Sequence, residues 1–144
     1  MSVTVYVWDG NLSTKSMGHT AMKVDRDYFT WWPKGVPRGV FTIAAPIEGR
    51  TFADDLRDER GWPENSVVLQ GLDEAAIRVW WQELFSRKFG TIGLQAWHGL
   101  SFNCATSVAH ALKAGGAKGG WRLIWTPADI LAWAQQLSTA AASG

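Results

Sequence analysis

Along the chain, apolar positions recur first at every second residue and later at every third or fourth. In the opening segment Val3, Val5 and Val7 alternate with Thr4, Tyr6 and Trp8, the period of a strand with one buried face. Residues 9–18, DGNLSTKSMG, carry the Asp-Gly, Asn and Ser chemistry of a loop. HTAMKV and YFTWW follow, separated by the polar Asp25-Arg26-Asp27, and predict a hairpin. Pro33 ends its second strand or restricts it to an edge.

Between Lys34 and Asn65 the pattern weakens. VFTIAAP predicts a further strand, and the charged EGRTFADDLRDERGWPEN a surface excursion with a short helical turn. Long loops in small domains are often functional, and Gly35 to Pro63 is a candidate lid. SVVLQ returns to strand.

Three helices follow with clearer signals. LDEAAIRVWWQELFSRKFG has Asp73 as N-cap, puts Ile77, Trp80, Trp81, Leu84 and Phe85 on one face, and is closed by Gly90. NCATSVAHALKAGG sets Val108 and Leu112 one turn apart beside Ala105 and Ala109, with Gly115-Gly116 as its stop. TPADILAWAQQL has Thr126 as N-cap, Pro127 at the first helical position and Asp129 where a capping-box acid sits. Residues 138–144 read as a frayed tail. There are no internal repeats and no linker, so residues 1–144 form a single domain.

Composition narrows the function classes. Hydrophobic residues are 47% and charged residues 19%, which excludes disorder. The net charge is +1 with no run of Lys or Arg, so neither nucleic acid nor an anionic membrane is favoured electrostatically. One cysteine makes no internal disulfide, which suits folding in a reducing cytoplasm and leaves later export open. The N-terminus has no signal-peptide pattern and no apolar run has membrane-spanning length. The expectation is a soluble chain, cytoplasmic as synthesised, and secreted or delivered, if at all, without a cleavable signal. Ten tryptophans stand out. Most are expected in the core, with some lining a groove for an apolar or flat substrate.

Candidate chemistry centres on Cys104, at the start of the second predicted helix. There, free backbone N–H groups and the helix dipole favour thiolate over thiol and can hold a developing oxyanion. The competing reading is a small buried hydrophobe. His19 opens a strand directly after Gly18, where glycine leaves room for a close approach. It is a candidate base, or a histidine bonded within its own turn. His110 lies on a different side of the helix from Cys104 and reads as a rim residue; His98, in QAWHGLS, borders a possible cleft. No Cys or His pair has metal-ligand spacing, so no metal and no cofactor is expected. KAGGAKGG follows a helix rather than a strand and is not a phosphate loop. Asp54, Asp55, Asp58 and Glu59 alternate with Arg50, Arg57 and Arg60, which reads as a solvated charged face.

GHTAMKV and NCATSVAHAL, in that order, resemble the histidine strand and nucleophile helix of the circularly permuted NlpC-like, papain-fold cysteine hydrolases, whose relatives include the lecithin:retinol acyltransferases. YFTWWP and GLDEAAIRVWW are similar to segments of cysteine-hydrolase-like domains attached to bacterial secretion and toxin systems. The resemblance implies a small α+β papain-like domain, a short antiparallel sheet packed with about three helices. It implies Cys104 as nucleophile and His19 as general base, acting through a thioacyl intermediate on an amide or ester bond. The orienting group departs from the family, since no histidine follows on the next strand; Thr30, Asp25 and Asp27 are the candidates. The helix continues Ala-Thr rather than Glu-His, which favours hydrolysis over retinoid-type acyl transfer.

The Cys104 N–H and Tyr6 are candidate oxyanion donors, and Asn103, Trp31, Trp32 and His98 candidate pocket residues. Implied substrates are peptide, peptidoglycan, a glutamine side chain or lipid, with an inhibitory immunity partner if the protein is a toxin. A lipid-directed phospholipase or acyltransferase, and a catalytically inactive binding domain on the same scaffold, are the alternatives.

Overall fold

A computed structural model describes residues 2–10, 17–35, 38, 43–44, 46–86, 97–98 and 102–143. The chain runs β1 (Val3–Trp8), β2 (His19–Val24), β3 (Asp27–Thr30), β4 (Ile43–Ala44), α1 (Phe52–Asp58), β5 (Asn65–Leu69), α2 (Glu74–Ser86), β6 (Trp97–His98), α3 (Cys104–Ala114) and α4 (Pro127–Ser143). Among the described residues this is an α+β domain, with one open antiparallel sheet ordered β3-β2-β1-β5 and four helices. β4 and β6 form a separate two-stranded pair.

Register decides which side chains share a face. Val3, Val5 and Val7 of β1 lie opposite Val24, Met22 and Thr20 of β2, while Tyr6 lies opposite Ala21 and Trp8 opposite His19. Directly opposed residues point to the same side. The valine face is therefore the core side, where α3 and α4 pack against the sheet and α2 packs against α3. Val5, Met22, Ile77, Trp81, Leu112 and Ile130 are fully buried there. The opposite face carries Tyr6, Trp8 and His19 and is covered by α1, whose Phe52 ring stacks on Tyr6 at 5.0 Å.

Helix ends follow the local chemistry. Asp73 accepts from the Ala76 N–H, Asn103 and Thr106 form a capping box at α3, and Thr126 and Asp129 do the same at α4. Gly115 caps α3 and Gly116 turns away at φ 91°. Gly90 lies outside the described residues.

Four expectations need correction. β3 stops at Thr30, because Trp31 turns into the core, its indole N–H donating to the Phe102 carbonyl at 3.3 Å. The charged segment is a true helix, α1, and makes a fourth beside the three expected. Residues 138–143 continue α4 instead of fraying, in keeping with the high helix propensity of the alanines there. The segment read as a surface excursion is partly inside, since Arg50 and Asp55 are buried. Among the described residues, five tryptophans are buried (Trp8, Trp31, Trp81, Trp125 and Trp133), whereas Trp62 and Trp121 are largely exposed. Among the described residues no helix is long and apolar enough to cross a membrane.

Candidate active site

Cys104 is the first residue of α3. Asn103 before it has extended backbone, and its side chain accepts from the Thr106 N–H at 3.0 Å. The Ser107 N–H bonds the Asn103 carbonyl. Of the first four N–H groups, those of Cys104 and Ala105 are left without an intrahelical acceptor. The sulfur thus sits at the positive end of an eleven-residue helix. It is nearly closed off, with 5% of the residue exposed.

His19 opens β2 and is fully buried. Gly18 makes this entry possible. At φ 75° a Cβ on it would stand 2.7 Å from the Trp8 carbonyl oxygen and 2.9 Å from the Gly10 nitrogen. The imidazole packs against Trp8 at 5.3 Å and edge-on to Trp32 at 5.0 Å. Its Nε2 lies 2.9 Å from Asp55 Oδ2 and 2.8 Å from Thr30 Oγ1. An ionised carboxylate at that distance requires a proton on Nε2, so Nε2–H donates to Asp55 with Thr30 as a second acceptor. Nδ1 has no hydrogen bond of regular geometry among the described residues. It is the nitrogen left for Cys104, whose charge favours the protonated ring.

Asp55 is the anchor of the arrangement. Oδ2 accepts from His19 and from the Tyr28 hydroxyl, and Oδ1 accepts from Arg50 Nε at 2.6 Å. Burial alone would raise its pKa, but the charge and hydrogen bond of His19, with Tyr28 and Arg50, hold it well below the usual carboxylate range. Burial and the adjoining carboxylate push the Tyr28 hydroxyl far up, so it stays a donor. The Arg50 guanidinium also donates to Asp58 Oδ2 at 2.6 Å and lies 3.8 Å over the Trp32 ring. Arg38 lies 4.1 Å over the same ring and donates to the Gly18 carbonyl at 2.7 Å. Two indoles therefore flank the imidazole, and two guanidiniums cover one of them.

His19 and Cys104 both shift in the direction of an ion pair. Burial lowers the His19 pKa, but the Asp55 carboxylate and Cys104 more than offset this and raise it to about 9. Burial raises the Cys104 thiol, but His19 foremost, then Arg38 and the Thr20 backbone N–H, bring it below its ordinary value.

The remaining sequence candidates separate. Thr30 is at His19, as expected. Asp25 and Asp27 are not; both pair with Arg78 at the hairpin turn, at 3.2 and 2.8 Å. Asp55 takes the place proposed for them, which corrects its reading as part of a solvated face. Arg57, Asp54 and Asp58 do belong to the partly exposed side of α1. Trp31 is a core residue, whereas Trp32 flanks the imidazole. The Asn103 amide is engaged in the cap and donates to the Trp125 carbonyl at 3.0 Å. Tyr6 stacks within the α1 wall against Phe52, Tyr28 and Trp8. The His98 backbone pairs with Ile43, and its side chain lies outside the described residues. His110 is exposed and packs edge-on to Phe102 and Trp80.

Asp55, Arg50 and Tyr28 left one trace in the sequence. Phe52, Asp55 and Glu59 fall on a single helical face, so the acid occupies a position that ordinarily points inward. Among the described residues no group of three or more His, Cys, Asp and Glu side chains is arranged to hold a metal ion.

No curated protein and no solved structure matches this chain. The family model described as the IcsB middle domain matches residues 40–143. That span holds Asp55 and Cys104 and leaves His19 before it. With well over half of its length matched, the chain belongs to the IcsB middle domain family.

Proposed function

We propose that the chain is a cysteine-nucleophile hydrolase of amide or ester bonds. The observation that carries this reading is the buried series from Asp55 through His19 to a thiol at a helix N-terminus. Such an order of groups is what a paired Cys–His nucleophile needs: an activated sulfur, a base and a fixed orienter.

In the proposed reaction, the Cys104 thiolate attacks the carbonyl carbon, and the carbonyl electrons move to oxygen. The N–H groups of Cys104 and Ala105 face the developing oxyanion. As the tetrahedral species collapses, the leaving amine or alkoxide takes the proton from His19 Nδ1, and a thioester remains on Cys104. His19, now neutral at Nδ1, takes a proton from water, whose oxygen attacks the thioester. The acid product departs, and the Cys104 thiolate is restored beside His19 protonated again at Nδ1. Asp55 keeps the Nε2 proton throughout, holding the ring with Nδ1 toward sulfur. Arg50 and Tyr28 keep Asp55 ionised and are positioning residues.

Family membership supports a bacterial effector as the setting, which fits a protein delivered to another cell. An inhibitory immunity partner belongs to the toxin form of this reading. A second acceptor in place of water would make the same site an acyltransferase or, on a lipid ester, a phospholipase. The exposed Trp121 and Leu123, beyond the Asn103–Trp125 bond, favour a lipid-linked substrate within this class.

The test is turnover of phospholipid, muropeptide and protein substrates by the chain beside Cys104→Ala. One class should be cleaved by the wild type, with a hydroxylamine-sensitive acyl adduct on Cys104 by mass spectrometry, and none by the variant. Equal turnover by Cys104→Ala would remove the thiol from the chemistry.

A further inference from the structure

Between α3 and α4 the chain forms a braced loop, KGGWRLIW, from Lys118 to Trp125. The Trp133 indole N–H donates to the Lys118 carbonyl at 3.0 Å. Gly120, at φ 68°, lies so close to Trp133 that a Cβ would stand 2.2 Å from the ring. Trp125 is buried beside Trp133, with centroids 5.3 Å apart, and its carbonyl accepts from Asn103. Both ends of the loop are thus anchored in the core, one of them next to Cys104.

What the frame presents outward is apolar. Trp121 is 79% exposed, Leu123 83% and Ile124 43%. In this stretch of chain exposed cations outnumber acids. Lys113, Lys118 and Arg122 are exposed, and from residue 102 onward the chain holds a single acid, Asp129, 3.7 Å from Arg122. The chain as a whole carries only +1, and its cations form no run in sequence; here Lys118 and Arg122 flank Trp121 along the loop, and Lys113 lies 5.7 Å over the Trp125 ring.

We propose that the Lys118–Trp125 loop is a docking tip for an anionic lipid surface. Trp121, Leu123 and Ile124 enter the interface, and Lys113, Lys118 and Arg122 meet the headgroup phosphates. A loop that exposes an indole beside aliphatic side chains suits the interfacial zone of a bilayer, where tryptophan is favoured. Each cation close to an anionic leaflet adds to the attraction. That docking also brings an ester or amide of a lipid-linked substrate to Cys104 rests on the function proposed above; the docking itself does not.

The test is flotation of the full chain with vesicles of phosphatidylcholine alone or phosphatidylcholine with phosphatidylserine. The chain should float with the phosphatidylserine vesicles and much less with phosphatidylcholine alone. Leu123→Glu should reduce partition by about tenfold, since it removes an inserted side chain and adds a like charge. Lys118→Glu with Arg122→Glu should abolish the phosphatidylserine preference. Cys104 alkylation reports the catalytic residues separately and should be unchanged in all of these variants. Absence of flotation with either vesicle, or equal flotation of Leu123→Glu, would overturn the proposal. So would a dimer of the wild type that Leu123→Glu dissolves, since a second copy would then cover the tip.

Discussion

Gly18 shows how one missing side chain sets the position of another. Its positive φ and its contact with the Trp8 carbonyl oxygen bring the loop against β1, so that the next residue, His19, begins its strand opposite Trp8. Replacing it with alanine imposes both a strained backbone and an overlap with main-chain atoms, which cannot move aside as a flexible side chain would. Gly18→Ala is expected to destabilise the fold by about 1–3 kcal/mol in urea titration and to slow Cys104 alkylation. An unaltered alkylation rate would mean that the entry to β2 does not control the imidazole. Legibility at this scale depended on local marks. Cys104 and His19 are visible because a helix start and a glycine-flanked strand start are written in neighbouring residues. Asp55 is hidden because its partners Arg50, Tyr28 and His19 come from separate segments, and the alternating charges around it look like a solvated surface.

At the scale of elements, α1 does more than its seven residues suggest. A helix this short has little stability of its own. It is held by the Thr51–Asp54 capping box, by Phe52 among the rings of Tyr6, Trp8 and Tyr28, and by Arg50 bridging Asp55 and Asp58. Arg50 also covers Trp32, which packs on His19, so the loop before α1 and the base are one unit. Arg50→Gln leaves a buried carboxylate short of its charged donor and is expected to cost about 3 kcal/mol of stability. It should also reduce hydrogen-exchange protection in α1 and move the alkylation profile of Cys104 to higher pH. Arg57→Gln, on the exposed side of the same helix, should change none of these. Equal effects from the two substitutions would mean that charge on α1, and not the Arg50 bridge, is what matters. The four strands of the main sheet and the three longer helices were readable from period and caps; β6 was not, since QAWHGLS reads as a loop. α1 was not, because its inward face is built of charges that satisfy one another.

Over the whole molecule, pH acts through the same buried pair. The His19 pKa is raised from 6.5 to about 9, so its contribution to stability is full below about pH 6.5 and is lost as pH rises through about 9. Asp55 is depressed from 3.8, so its contribution is present above that value and declines in acid. Both are complete only between these limits, and stability measured by chemical denaturation should fall on either side; in Asp55→Asn the alkaline fall should flatten. The fold class was legible because strands precede helices with distinct periods. The exposed Trp121 and Leu123 were not legible, since ten tryptophans in a short chain read first as core. The central claim is that Cys104 is an activated nucleophile paired to His19. It is tested most directly by the rate of iodoacetamide alkylation of the native chain between about pH 5 and about pH 10, for the wild type beside His19→Ala and Asp55→Asn. Fast alkylation near neutral pH is expected, titrating below an ordinary cysteine, with both substitutions moving the profile upward. Labelling only after denaturation, or an unchanged profile in His19→Ala, would contradict the claim and leave Cys104 a buried core thiol.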